Sequence, residues 1–216
     1  GCGRRGEIDY AMEEVEIYTR IQKAVQVSWS REDDTRHSPM RPISVSRLRG
    51  AIQGKTVTGW EHKLAGESVL KSMLPGAIAS LMPEWVPGVI SQGVGKLGAS
   101  MMGLAGYPTL VDGAVLDYEI PHRILQAYTL DVPFPLAMLR SVSHTYTGFV
   151  VESFMDELAH ATDKDPVEFR REFLPEKSRR RRVLDLVEEK SGWGVPLSYG
   201  RGRGIAVVKA FNTYVA

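Results

Sequence analysis

The sequence predicts an α+β fold in which mixed sheets pack against helices. Three observations predict it. Apolar residues recur at helical spacing in residues 8–23 and again after residue 145, which is typical of helices with one buried side. Apolar and polar residues alternate in several shorter segments, as they do in half-buried strands. Two extended segments flank Gly54, so that a β-hairpin is predicted there.

The composition is that of an ordinary globular protein. The chain has 216 residues, of which 43% are hydrophobic and 25% charged, and its formal net charge is +1. This balance predicts no overall attraction to nucleic acid or to a membrane surface. The single cysteine, Cys2, cannot form an internal disulfide, and the sequence has no Cys/His cluster with the spacing of a zinc or iron–sulfur site. The redox compartment therefore stays open, and the localisation is unknown.

A glycine-rich loop, residues 1–6, precedes the first predicted helix, residues 8–23. The acidic residues of this helix lie toward its N-terminus, where the helix dipole favours negative charge. The next predicted elements are a strand, a highly charged loop and the two hairpin strands, over residues 25–30, 31–40, 43–53 and 55–64.

Prolines and glycines interrupt an otherwise apolar region between about residues 68 and 109. Polar residues such as Glu84, Gln92 and Lys96 also divide it, so no apolar run is long enough for a membrane span. We expect an irregular connection with one or two short helices. Strands are then predicted over residues 114–120 and 124–130.

The stretch from residue 139 to residue 174 organises the rest of the chain. A small polar loop comes first: Arg140, Ser141, Val142, Ser143 and His144. A long amphipathic helix follows the loop. Exposed backbone N–H groups at a helix start, with an arginine beside them, favour the binding of an anion. Most helices of this kind only contribute to the core, so a purely structural segment is the competing interpretation.

Two further helices are predicted after the amphipathic helix. Asp165 is a good N-cap for the first of them, Pro166 suits its first position, and Glu168 stands three residues after the cap. A basic run, residues 177–182, begins the second; a solvated face explains it better than a nucleic-acid contact, because acidic residues follow and aromatic residues are not interleaved. A Gly–Arg repeat, residues 200–204, then leads to a predicted strand over residues 205–209.

Three stretches together resemble one known family. They are GCGRRGEIDYAMEEVEI at residues 1–17, VSWSREDDTRHSPMRP at residues 27–42 and RSVSHTYTGFVVESFMDELAHATDKDPVEFRR at residues 140–171. Their order and spacing resemble the molybdenum-binding (large, beta) subunit of the xanthine dehydrogenase/aldehyde oxidase family. The branch they resemble is that of the large subunits of isoquinoline 1-oxidoreductase-type enzymes, and the resemblance covers nearly the whole chain.

The resemblance implies a molybdenum hydroxylase, which hydroxylates an electron-poor carbon with water as the oxygen source. It implies a molybdenum–molybdopterin cofactor, expected in the cytosine dinucleotide form. Electrons would leave through a small [2Fe-2S] partner subunit, with a cytochrome c as one candidate acceptor. The chain is interpreted as a fragment: residues 1–175 as the later part of a first cofactor-binding domain, and residues 176–216 as the start of a second. Because the family's general base lies elsewhere in the full subunit, the fragment alone is expected to be inactive.

The resemblance also implies which residues contact the cofactor. Gly1, Cys2 and Gly3 match a Gly-Gly-Phe-Gly loop whose backbone approaches the metal, with Cys2 where phenylalanine usually stands. Cys2 as a nucleophile or a metal ligand is a weaker alternative, because no histidine or carboxylate is evidently paired with it. Arg4 is a candidate for anionic groups of the pterin, and a surface position is an equal alternative.

In the second implied contact region, Arg140 matches the family arginine that lies against the cofactor. Its planar guanidinium suits phosphate or pterin oxygens. The neighbouring Ser141, Val142 and Ser143 are expected to add backbone or hydroxyl contacts, and His144 to be a polar neighbour. No catalytic residue and no protein ligand to the metal is assigned in this chain.

The substrate is left open by these residues. Gly6 stands where xanthine-oxidising members carry an acid, which argues against xanthine and favours a less polar N-heterocycle or an aldehyde. Two alternatives remain: an aldehyde-oxidising enzyme of the same family, and a non-catalytic scaffold that binds no metal. The acidic cluster at residues 32–34 could serve acid–base chemistry, but we interpret it as a structural motif that pairs with Arg31, Arg36 and Arg41.

Overall fold

The computed structural model describes residues 9–69, 82–83, 85–103 and 107–216. Seven helices and five strands lie within these ranges, and they confirm the predicted α+β class. In chain order they are α1 (Asp9–Ile21), α2 (Arg31–His37), β1 (Ser44–Gln53), β2 (Thr56–Gly66), α3 (Gly88–Gly103), α4 (Tyr107–Val111), β3 (His122–Thr129), α5 (His144–Ala161), α6 (Pro166–Glu172), α7 (Arg179–Ser191), β4 (Val208–Ala210) and β5 (Thr213–Val215).

The chain forms two compact units, each assembled from separate segments. Among the described residues, the first unit comprises those that fall within 1–43, 67–109 and 130–142, and the second comprises 44–66, 110–129 and 143–216. These units are defined by contacts in space. The predicted domain boundary near residue 175 instead divides the chain by position along the sequence, in the domain order that the resemblance implies. It stays a prediction.

In the first unit, α2 replaces the predicted charged loop. The Ser30 hydroxyl accepts a hydrogen bond from Asp33 N, and the Asp33 carboxylate accepts one from Ser30 N, which forms a capping box. Acidic residues also occupy the first turn and basic residues the last, in agreement with the helix dipole. The loop prediction was therefore wrong, because these charges stabilise a short helix.

The predicted strand at residues 25–30 was also wrong. Its residues do alternate between half-buried and exposed, but they form no strand. The segment lies beside α1, where the indole Nε1 of Trp29 donates to Glu13 Oε2 at 2.9 Å. Alternate burial against a helix produced the same pattern as a strand would.

In the second unit, the predicted hairpin is confirmed. β1 and β2 pair antiparallel, and Gly54 lies in their connection with φ of +62°. β3 adds to β2 in parallel, in the register Trp60 opposite Arg123 and His62 opposite Leu125. The sheet is therefore mixed, with the order β1–β2–β3.

Helix α5 packs against β1 of this sheet, α6 packs against α5, and α7 packs against α6. The buried core joins residues of the sheet to residues of all three helices, among them Val57, Trp60, Met155, Phe169 and Leu184. Asp165 caps α6 as predicted, since its Oδ1 accepts hydrogen bonds from Val167 N at 2.8 Å and Glu168 N at 3.2 Å. The three helices predicted after residue 140 are thus confirmed.

The predicted strand at residues 114–120 was wrong, although residues 124–130 do contain most of β3. Leu116, Tyr118 and Ile120 are buried at every second position, but the segment pairs with no strand among the described residues. Its backbone instead bonds the end of α6, where Glu119 N donates to Phe173 O at 2.9 Å. The last predicted strand, residues 205–209, overlaps β4 only at residues 208 and 209; β4 pairs antiparallel with β5.

The apolar region between residues 68 and 109 lies partly outside the described residues. Where it is described, α3 has 16 residues and is longer than the short helices expected. Within the described ranges, none of the helices combines the length and the apolar character that crossing a membrane requires.

Candidate functional site

The predicted glycine loop is not among the residues that the structure describes. Gly1, Cys2, Gly3 and Arg4 all precede the first described residue. Their expected contacts with a cofactor therefore remain predictions from the sequence.

In the first unit, Arg140, Ser141 and Val142 form a tight turn. Val142 N donates to Leu139 O at 3.0 Å, and both Ser141 (φ +70°) and Val142 (φ +45°) adopt left-handed backbone angles. Such angles are uncommon for residues other than glycine, and they persist where the surroundings hold them. Arg140 and Ser141 are exposed.

Arg41 holds this turn from a distant segment of the same unit. Its Nη1 donates to Val142 O at 3.1 Å and its Nη2 to Arg140 O at 3.0 Å. A short parallel bridge between Met40 and Leu136 brings the two segments together. Arg41 belongs to the second sequence stretch that carries the resemblance, so this stretch supports the predicted loop directly. Sequence reasoning had expected Arg41 only to pair with the nearby acidic cluster.

In the second unit, Ser143 and His144 begin α5. The Ser143 carbonyl accepts hydrogen bonds from Tyr146 N at 3.1 Å and Thr147 N at 2.9 Å. Its hydroxyl makes no capping bond; it is buried and has no hydrogen-bond partner among the described residues. A buried hydroxyl without a partner is uncommon and calls for an explanation.

His144 lies between two turns of the second unit. Its ring packs edge-on against Phe211, with 5.5 Å between the ring centroids. On another side it lies against Gly113, where a Cβ would stand 2.6 Å from His144 Nδ1 and 2.5 Å from Thr147 Oγ1. Gly113 has φ of +79°, so glycine is required there for both space and conformation. The His144 Nδ1 atom is buried and has no hydrogen-bond partner in the described part of the chain.

Two further side chains fasten the start of α5 to residues 110–112. Thr147 Oγ1 donates to Asp112 O at 2.8 Å, and the Tyr146 hydroxyl donates to Leu110 O at 3.2 Å. The position of Ser143 and His144 is thus determined by contacts on several sides. A preorganised arrangement of this kind suits a binding function.

A buried ionic cluster two turns further along α5 was missed by the sequence reasoning. Glu152 is 3% exposed, and its carboxylate accepts hydrogen bonds from Arg170 Nε (3.0 Å), Arg180 Nη2 (2.9 Å), the Tyr118 hydroxyl (3.0 Å) and Val207 N (3.0 Å). Burial and the negative charge of Glu152 raise the pKa of Tyr118 well above its ordinary value, so the hydroxyl stays a donor. The signal in the sequence was a glutamate inside an apolar helical stripe.

A groove of about 450 Å³ runs along α5 beside residues 204–208. His144 and Phe149 line one wall, Ile205 lines the other, and Ser153 and Asp156 supply polar groups. Among the described residues there is no group of three or more His, Cys, Asp or Glu side chains that could hold a metal ion.

The chain is similar to parts of three curated proteins. It is 26% identical over 99% of its length to the beta subunit of an isoquinoline 1-oxidoreductase from Brevundimonas diminuta. It is 27% identical over 90% of its length to a membrane-bound aldehyde dehydrogenase from Gluconacetobacter polyoxogenes, whose name also specifies pyrroloquinoline quinone. It is also 24% identical over 89% of its length to a nicotinate dehydrogenase subunit from Pseudomonas putida.

The similar region is a limited part of each relative. It spans 25%, 25% and 15% of their lengths, respectively. No family model matches the chain. The relatives nevertheless share a class, since all three are named as oxidoreductases or dehydrogenases. The resemblance predicted from the three sequence stretches is thus confirmed, since the chain is similar over almost its whole length to the beta subunit of an isoquinoline 1-oxidoreductase and over most of it to two dehydrogenases.

Proposed function

We propose that this chain is part of the molybdenum-cofactor-binding subunit of an oxidoreductase. In this proposal the enzyme hydroxylates an N-heterocyclic aromatic compound with water as the oxygen source, and a small [2Fe-2S] partner subunit carries the electrons away. The observation that carries the proposal is the similarity over 99% of the chain to a subunit named for isoquinoline oxidation. A second relative is named for nicotinate, which is also an N-heterocycle.

The chemistry of the predicted contact residues fits a polar, anionic cofactor. The exposed Arg140 has a planar guanidinium that can pair with phosphate or pterin oxygens in two-point contact. Ser141 beside it is also exposed, whereas the Ser143 hydroxyl and His144 Nδ1 are buried. When bound, the cofactor would supply the redox chemistry.

The chain's own residues would bind and orient that cofactor. Arg41 holds the Arg140–Val142 turn through two carbonyls, which fixes the backbone that would face the pterin. Gly113 and Phe211 hold the His144 ring in place on its two sides. The glycine loop of Gly1, Cys2, Gly3 and Arg4 is proposed as the second contact region, from its match to the family motif.

Aldehyde oxidation is the second candidate function, because one relative is named as an aldehyde dehydrogenase. The name of that relative also specifies pyrroloquinoline quinone. A test of the proposal must therefore compare substrates and must assay for both cofactors.

The test uses the complete subunit, recovered by extending the reading frame and co-expressed with its iron–sulfur partner. Isoquinoline, nicotinate and benzaldehyde are offered in ¹⁸O-labelled water, and products are analysed by mass spectrometry. We expect a hydroxylated N-heterocycle that contains ¹⁸O, together with molybdenum and no quinone cofactor. Oxidation of benzaldehyde alone would support the aldehyde enzyme, and quinone without molybdenum would contradict the cofactor proposal.

A further inference from the structure

The turn between β4 and β5 carries a phenylalanine in an unusual backbone conformation. The two strands pair with Ala210 opposite Thr213, so Phe211 and Asn212 form a two-residue hairpin turn. Both turn residues have positive φ angles, +48° for Phe211 and +63° for Asn212. Asparagine and glycine suit such turns, whereas a bulky residue with positive φ is an outlier. Phe211 therefore strains a turn that asparagine or glycine at its position would form more easily.

Burial of the Phe211 side chain does not explain this strain. The residue is 71% exposed and is not part of the buried core. Its ring packs edge-on against His144, with 5.5 Å between the ring centroids. Strain at an exposed residue is typical of functional sites, where a local rule is broken for a side chain that is needed there. The turn thus holds an exposed aromatic ring beside His144.

The segment that leads to this turn is fixed along α5. Val207 N donates to Glu152 Oε2 at 3.0 Å. One helical turn nearer the start of α5, Val208 packs against Gly148, where a Cβ would stand 3.3 Å from Val208 Cγ2. One further turn away, the ring of Phe211 meets the first residue of the helix. These successive contacts determine where the ring of Phe211 lies.

The ring of Phe211 lies near the groove of about 450 Å³ along α5. His144 lines this groove, so Phe211 meets the groove where the helix begins. A second exposed ring, that of Phe149, lines the groove and is 74% exposed. The volume is typical of sites for small molecules, and aromatic side chains pack favourably against other rings. Two exposed rings in this place favour a planar aromatic ligand over an aliphatic one.

We propose that Phe211 is a specificity-determining residue, whose exposed ring packs against the heterocyclic ring of the substrate beside His144. This inference rests on the proposed function, because His144 is one of the predicted cofactor contacts and the proposed substrate is an N-heterocycle. Phe211 has no group that could transfer a proton. It would therefore act on substrate binding and orientation through the contact of the rings alone.

The test measures the affinity of the intact complex for isoquinoline by titration calorimetry. Phe211→Leu keeps an apolar side chain in the strained turn but removes the ring, and we expect the affinity to fall about threefold to tenfold, the range for one aromatic pair. Phe211→Tyr keeps the ring and should retain the wild-type affinity. Tyr128→Leu, at an exposed position on β3 that does not line the groove, is the control and should bind like the wild type.

Phe211→Asn separates ligand binding from stability. Asparagine suits the left-handed turn, so we expect a thermal midpoint at least equal to that of the wild type, together with the weakened binding of Phe211→Leu. A lower midpoint would show that the ring serves the fold, and it would overturn the proposal. Unchanged affinity in Phe211→Leu, or no binding of isoquinoline by the wild type, would overturn it as well.

Turnover of isoquinoline in ¹⁸O-labelled water is measured separately on the same variants. Binding that depends on Phe211 without any hydroxylation would overturn the proposed reaction and leave the ring contact standing. Hydroxylation by a Phe211→Leu complex with wild-type affinity would overturn the ring contact and leave the proposed reaction standing.

Discussion

The guanidinium of Arg170 is fully buried, and its Nε lies 3.0 Å from Oε2 of Glu152. Burial alone would lower the pKa of Arg170, but Glu152, Tyr118 and Asp156 raise it on balance, so the side chain stays charged. Arg170 also donates to the Glu152 carbonyl at 2.9 Å. Through this one pair, α5 and α6 are joined inside the core.

Removing one member of this pair should destabilise the protein strongly. Arg170→Met would leave Glu152 buried with an incomplete set of donors, and we expect a loss of about 3–5 kcal/mol in the free energy of unfolding. Urea denaturation measures it. Arg182→Met, at an exposed position on α7, is the matched control and should change stability by less than about 0.5 kcal/mol. Similar effects of the two variants would show that the buried cluster is not needed for stability.

Gly113→Ala should disturb the start of α5. The new Cβ would stand 2.6 Å from His144 Nδ1 in addition to the strain of a φ of +79°. Gly200 has the same φ of +79° with no atom within 4 Å of its Cβ position, so Gly200→Ala isolates the backbone strain. We expect Gly113→Ala to lower the thermal midpoint clearly more than Gly200→Ala, and the NMR signals of His144 to move in the first variant alone. Equal midpoints would contradict the close packing around Gly113.

His62 should make the stability depend on pH. This residue of β2 is fully buried, and desolvation lowers its pKa below the ordinary value of 6.5. The unfolded chain therefore binds a proton at a pH where the folded chain does not. Stability should be fully present above about pH 6.5 and should fall as the pH drops below it.

The urea midpoint measured between pH 7.5 and pH 5 tests this dependence. His62→Gln, which has no imidazole, should show a smaller fall over this range than the wild type. His160→Gln, at an exposed position on α5, should keep the wild-type fall because His62 is still present. An unchanged pH dependence in His62→Gln would contradict the burial of a neutral histidine.

Much of the fold could be predicted from local patterns. The hairpin at Gly54 and the cap at Asp165 depend on neighbouring residues alone, and both are confirmed. The strands predicted at residues 25–30 and 114–120 were wrong. An extended segment that packs on one side buries alternate residues whether or not it pairs with another strand. Strand pairing depends on distant segments, and a single pattern does not reveal it.

In the candidate site, too, local features could be predicted from the sequence, whereas contacts between distant segments could not. The turn before α5 and the helix start were predicted from the sequence, but the supports around them come from far along the chain. Arg41 is 99 residues from Arg140, and Val207 is 55 residues from Glu152. Local spacing carries no information about such contacts. The cluster around Glu152 could have been suspected only from a charged residue within an apolar stripe.

The most direct test of the central claim is the cofactor content of the complete subunit with its iron–sulfur partner. Molybdenum and released pterin nucleotide are measured per protein in the wild type, in Arg140→Ala and in the exposed control Arg182→Ala. We predict stoichiometric metal and cytosine nucleotide in the wild type and the control, and a clear loss of both in Arg140→Ala. A wild-type complex without molybdenum would contradict the claim and favour a scaffold without metal, and full metal content in Arg140→Ala would contradict the placement of the cofactor against this turn.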